Sequence, residues 1–179
     1  MYDKSRRYDF QNSEKLSISD LHTLFLDTDM LTEYLYTHKD EFSNIREIDS
    51  ATDSESFYSE HVDQIDEITN RIFDLTSLNN ENELITLFRG VELGPEDMEP
   101  DMEEPGMCWT YDYDTAVDFV NQFDPSQDAD YAPCIITAQF KAKDIDWLYS
   151  AACMLDEMDE KEIRTYKDSK PVAIDYEVL

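Results

Sequence analysis

The sequence predicts an α+β fold, helical in its N-terminal half and sheet-rich after it, and three observations carry that prediction. Apolar residues before position 80 recur at helical spacing, as in Ile65, Ile68, Ile72 and Leu75. After it the apolar runs become short and partly β-branched, as in Leu84-Ile85-Thr86-Leu87-Phe88-Arg89. All three glycines, Gly90, Gly94 and Gly106, fall close together just where the texture changes. Glycine is needed where backbone takes positive φ or lets another group approach closely, so the special backbone positions are concentrated in one place. With 41% hydrophobic and 12% aromatic residues, the chain has the means to bury a core in spite of its charge, which argues against global disorder.

Residues 1–17 are polar and mixed in charge and read as an arm. A helical segment over 18–80 follows. Ser19-Asp20 supplies an N-cap for a helix carrying Leu21, Leu24, Phe25 and Met30. Leu31 to Tyr36 extends the pattern, in the same helix after a kink or in a second short one. Residues 47–61 are acidic and rich in Ser, Asp and Thr, and read as an exposed connection. A further helix runs from Val62 and ends at Asn79-Asn80. Residues 81–179 form the β-rich core, the whole making one compact domain. In it, Leu84–Arg89 is a strand and 92–105 an acidic loop with Pro95, Pro100 and Pro105. Asp112 to Phe123 is a helix burying Ala116, Phe119, Val120 and Phe123. Pro133–Phe140, Ile163–Tyr166 and Pro171–Val178 are strands, the last with Val172, Ile174, Tyr176 and Val178 alternating. Cys134 and Cys153 are expected to be buried and inert, in a strand and a helix.

Forty-three acids against 14 bases give a formal charge of −29, which repels nucleic acid and anionic membranes and favours basic partners. No apolar run approaches the roughly 18–20 residues of a membrane span. The polar N-terminus is not expected to be a secretory signal, and the chain is expected in the cytoplasm. Cys108, Cys134 and Cys153 are odd in number and lack Cys-x-x-Cys spacing, so they read as reduced thiols. His22, His38 and His61 are isolated, and no metal site is expected.

The residues carrying chemistry come in a fixed order. A strand ends in Arg89-Gly90, a loop follows, then Gly106-Met107-Cys108-Trp109-Thr110, a helix with Ala116 and Phe119, a strand, and Glu160-Lys161-Glu162-Ile163 before another strand. Over roughly residues 84–178 this resembles the ADP-ribosyltransferase superfamily, and most of all its small bacterial and phage members. These read Tyr-Arg-Gly, then Gly-x-Ser-Trp-Thr, then Ala-x-x-Phe and finally Glu-x-Glu-Val. The resemblance implies a split β-sheet core and NAD as the substrate that donates ADP-ribose. Arg89 would contact the NAD phosphate and ribose, a task suited to the paired, charge-assisted hydrogen bonds of a guanidinium. Gly90 would let backbone approach the nicotinamide amide, and Cys108-Trp109-Thr110, with Phe119, would shape the nicotinamide-ribose pocket. Glu162 would bind the ribose 2′-hydroxyl and meet the positive charge that develops as nicotinamide leaves, with Glu160 orienting the acceptor. Cys108 stands where the family pattern has serine.

Taken singly, each of these residues has an ordinary reading as well. Arg89 reads as a surface ion-pair partner, Trp109 and Phe119 read as core, and Glu-x-Glu says little in so acidic a chain. The sequence therefore supports two functions. One is a mono-ADP-ribosyltransferase-like protein that transfers ADP-ribose from NAD to a protein acceptor, a basic protein such as one that binds nucleic acid. The other is a non-catalytic acidic inhibitor, a nucleic-acid mimic of the phage anti-defence kind, whose charged surface fills a basic cleft. Neither involves direct nucleic-acid binding.

Overall fold

The computed structural model describes residues 15–94, 99–122, 132–156 and 161–179. Residues 1–14 of the arm, Pro95, Glu96 and Asp97 of the acidic loop, Phe123, Glu157, Asp159 and Glu160 lie outside them. The described chain is mixed α and β, with six α-helices and a five-stranded antiparallel sheet. Among the described residues, no helix is long and apolar enough to cross a membrane.

Helix α1, Ile18–Phe25, is capped two residues earlier than expected, because Ser17 is extended and its Oγ accepts the Asp20 N–H at 3.2 Å. Lys15 and Leu16, assigned to the arm, are docked. Lys15 Nζ sits 4.6 Å from the Tyr166 ring centroid, and Leu16 packs on the core. Asp27 leaves helical geometry and caps α2, Thr28–Thr37, through the Met30 N–H, so Leu31–Tyr36 belongs to a second helix. The expected connection over 47–61 is instead largely helical. It holds the short α3, Arg46–Asp49, and the start of α4, Ser54–Leu75. Asp53 caps α4 at the Ser56 N–H, and Phe57 and His61 extend the buried stripe of Ile65, Ile68 and Ile72 by two turns. The polar residues that suggested a loop are the outer face of this helix. It ends at Leu75, before Asn79-Asn80, where Thr76 turns extended and Leu78 takes φ 49°.

The strands are β1 (Leu84–Leu93), β2 (Cys108–Thr110), β3 (Ala132–Lys141), β4 (Glu162–Arg164) and β5 (Ala173–Val178), in the order β4-β2-β1-β3-β5. β1 runs on to Leu93, into what the sequence suggested was loop, because it pairs with β3 along its whole length, from Leu84↔Lys141 to Leu93↔Ala132. β4 begins one residue earlier than expected and stops at Arg164, while Thr165 bridges to Ile145. β1 and β2, by contrast, meet at the single pair Phe88↔Thr110. The sheet is thus two ladders, β4-β2 and β1-β3-β5, hinged at one residue pair.

Alternation along the strands separates two faces. Ile85 and Leu87, with Ile136, Ala138, Phe140, Trp109 and Ile163, enter one large core. Leu24, Leu31, Leu35, Ile65, Ile72 and others from the helical half complete it. On the other face α5, Tyr113–Asn121, packs Ala116 and Val120 against Ile135 and Phe88. The third element of the site is α6, Trp147–Asp156, which leads from β3 toward β4.

Candidate active site

The hinge between the two ladders positions Arg89. Beyond Phe88↔Thr110 the strands part, and the Arg89 guanidinium bridges toward the β2 side, with Nη1 donating to the Pro105 carbonyl at 2.8 Å. Gly106 lies directly against this guanidinium at φ +90°, and a Cβ there would collide with Nη1. The Gly106 carbonyl in turn accepts the Trp109 Nε1–H at 3.2 Å. Glycine is thus required at 106 on two counts, backbone conformation and close approach.

The β2–β4 ladder places Cys108 opposite Arg164, Trp109 opposite Ile163 and Thr110 opposite Glu162. Cys108, Thr110, Glu162 and Arg164 therefore share one face. Helix α6 fixes the outer side of β4. The Arg164 N–H donates to Ser150 Oγ at 2.9 Å, and its carbonyl accepts the Asp146 N–H at 2.7 Å. Asp146 also caps α6, accepting the Tyr149 N–H at 3.1 Å. With residue 150 fixed at Arg164, residue 153, three positions along the helix, falls beside Glu162. There the Cys153 thiol donates to Glu162 Oε1 at 3.7 Å.

Cys108 faces the same carboxylate from the β2 side. Burial first, and then the Glu162 charge, push its thiol up to about 12, while Arg164 and Arg89 pull the other way. Burial, again aided by Glu162, holds Cys153 well above the ordinary thiol value. Arg164 is fully buried with its guanidinium 4.0 Å from the Tyr149 ring centroid. Lys161, at φ 50°, reaches across to Asp112 at 2.8 Å. Asp112 caps α5 through the Thr115 N–H. The Lys161 hydrogen bond, with help from that cap, lowers its carboxyl to about 2. Arg89, Lys161 and Arg164 are three of the chain's 14 bases, and all border the Cys108–Glu162 pair or adjoin it in sequence.

The expected site residues thus divide. Cys108 and Glu162 are in contact, Thr110 is Glu162's partner across the ladder, and Arg89 acts electrostatically on Cys108. Thr110 Oγ1 accepts the Asp112 N–H at 3.2 Å, so it also starts α5. Trp109 is 3% exposed and meets Phe140 edge-on at 5.2 Å between ring centroids, a core residue as its ordinary reading had it. Gly90 faces α5, where an added Cβ would lie 2.5 Å from the Ala116 carbonyl oxygen, which gives it a packing role. Phe119 was expected to be buried and is 52% exposed, because the apolar face of α5 is set by Ala116 and Val120.

Lys161, Arg164 and Cys153 were not among the sequence candidates. Arg164 could have been found from the alternation Glu-Ile-Arg, which puts it on Glu162's face, and Lys161 only from its place next to Glu162 in sequence. Cys153 could not, because its place depends on the docking of α6. A surface pocket of about 350 Å³ lies elsewhere, between α1 and the turn after α4, with Ser17, His22, Leu78 and Glu81 in its lining. Among the described residues, no group of three or more His, Cys, Asp or Glu is placed to hold a metal ion. Comparison with known proteins gives no family model, no curated protein and no solved structure that matches this chain.

Proposed function

We propose that the protein transfers ADP-ribose from NAD to a protein acceptor. One observation carries the reading. The Arg-Gly, Cys-Trp-Thr and Glu segments, far apart in sequence, lie on the adjacent strands β1, β2 and β4, and they converge where the sheet is joined by a single residue pair. In this reading the parted ladders form the split sheet of the ADP-ribosyltransferases. Arg89 holds the NAD pyrophosphate, and the neighbouring positive charge of Arg164 offsets the repulsion an acidic chain exerts on a dianion. The bond between ribose C1′ and the nicotinamide nitrogen breaks, and its electron pair leaves with nicotinamide. The Glu162 carboxylate meets the positive charge left on the sugar, and an acceptor nucleophile bonds to C1′ and gives up its proton.

The test incubates the protein with labelled NAD and a cell lysate, beside Glu162→Gln. Label should appear on a protein and fall by at least about 100-fold in the variant, the range seen when one transition-state electrostatic contact is removed. Unchanged labelling in Glu162→Gln, or none in either protein, would sink the reading.

A separate observation favours the acidic-inhibitor reading. Glu55, Glu60, Asp63, Asp66, Glu67 and Asp74 are exposed on α4, and at 100° per residue they fall within an arc of about 140° along a helix about 33 Å long. Such a row matches a basic nucleic-acid cleft. On this reading Glu162→Gln binds its partner like the wild type, and affinity falls steeply between 50 and 200 mM salt, as counterion release dictates.

A further inference from the structure

We propose that Cys153 is a positioning residue for Glu162, holding its carboxylate from α6 as a neutral thiol donor, across from Cys108 on β2. The proposal rests on the transfer reading, in which Glu162 meets the developing charge.

The geometry supplies the grip. A carboxylate only accepts hydrogen bonds, and Glu162 accepts one from the Cys153 thiol on α6, with Cys108 facing it from β2. The Cys153 contact is set by backbone, since Ser150 and Asp146 anchor α6 to Arg164 one turn earlier. A carboxylate held from the helix, with a second side chain packed against it from the strand, has little freedom to change rotamer.

The charges around the two thiols decide what they do. Glu162, Arg164 and Arg89 act on Cys108, and Glu162, Cys108, Arg164 and Tyr149 surround Cys153. Burial and the carboxylate outweigh both guanidinium groups. At neutral pH a thiol near 12 is ionised to about one part in 10⁵. Neither sulfur is then a competent nucleophile or an oxidation sensor, which requires an exposed thiol of low pKa. What remains is donation. A thiol is a weak donor, so it holds the carboxylate while leaving most of its charge for the reacting sugar, and a ribose hydroxyl displaces it readily.

The experiment has a spectroscopic and a kinetic arm. The S–H stretching band of Cys153, assigned by its loss in Cys153→Ser, is recorded by infrared difference spectroscopy in the wild type and in Glu162→Gln. The band should move to higher frequency in the variant, because an amide oxygen is the weaker acceptor. In the labelled-NAD assay Cys153→Ala should lower kcat by about 10- to 100-fold, the effect of a misplaced reacting group, with KM for NAD unchanged. Cys153→Ser should restore most of the loss. A band that does not move in Glu162→Gln overturns the proposal, while labelling that still depends on Glu162 leaves the transfer reading standing. A band that moves with no Glu162-dependent labelling overturns the transfer reading and the positioning role with it. Wild-type kcat in Cys153→Ala, or a loss that Cys153→Ser does not repair, overturns the positioning role alone.

Discussion

Gly90 and Gly106 answer to different demands. At Gly106 the backbone is left-handed and the Arg89 guanidinium occupies the space of a side chain. Gly106→Ala should therefore cost about 1–3 kcal/mol in urea unfolding and free Arg89 from the Pro105 carbonyl. At Gly90 the obstacle is the backbone of α5, with the Ala116 oxygen 2.5 Å and Val120 Cγ1 2.8 Å from an added Cβ. Gly90→Ala should cost a similar amount by pushing α5 off the sheet, with the Arg89 contact left in place. Asp112 shows its role through pH. Its folded carboxyl titrates at about 2, below the ordinary 3.8, so its contribution is fully present above the unfolded value and is lost as pH falls through the folded one. Asp112→Asn keeps a capping side chain but loses the pair with Lys161. Its stability deficit, followed by chemical denaturation, should be constant above about pH 5 and shrink between about pH 4 and 2.

The element that organises the site is α6. β4 is only three residues long and lies at the edge of the sheet, so half of its backbone groups lack a strand partner. The first turn of α6 satisfies two of them through Ser150 and the Asp146 N–H. Ser150→Ala leaves the Arg164 N–H buried without its acceptor, and should destabilise by about 1–3 kcal/mol, measured as a fall in urea midpoint at unchanged slope. Because the same turn sets the height of Cys153 beside Glu162, Ser150→Ala should also loosen the carboxylate.

A molecule with 43 acids and 14 bases repels itself when folded. Raising ionic strength from about 0.01 to 0.15 M shortens the screening length from about 30 to 8 Å, and should raise the melting temperature. A Tm that fell with added salt would show that favourable pairs, and not repulsion, dominate the surface. Surface ion pairs such as Arg46–Glu47 at 2.9 Å and Arg71–Glu67 at 2.6 Å are local and offset little of this charge.

The sequence by itself determined the fold class, most strand positions, and the residue types of the candidate site. Apolar periodicity is local, and the glycines mark where backbone is unusual. It misread 47–61, because Ser54, Glu55, Ser56, Ser59 and Glu60 on an amphipathic helix's outer face look like a loop until the buried Phe57 and His61 are joined to Ile65. It also misjudged Phe119, since periodicity says that a residue can lie on an apolar face but not how wide that face is. Only the tertiary structure decided that β1 and β2 touch at one pair, that Trp109 turns into the core, and that Cys153 meets Glu162. Those outcomes depend on strand register and on the docking of α6 against β4. Such contacts join residues far apart in the chain, and no local pattern encodes their distance.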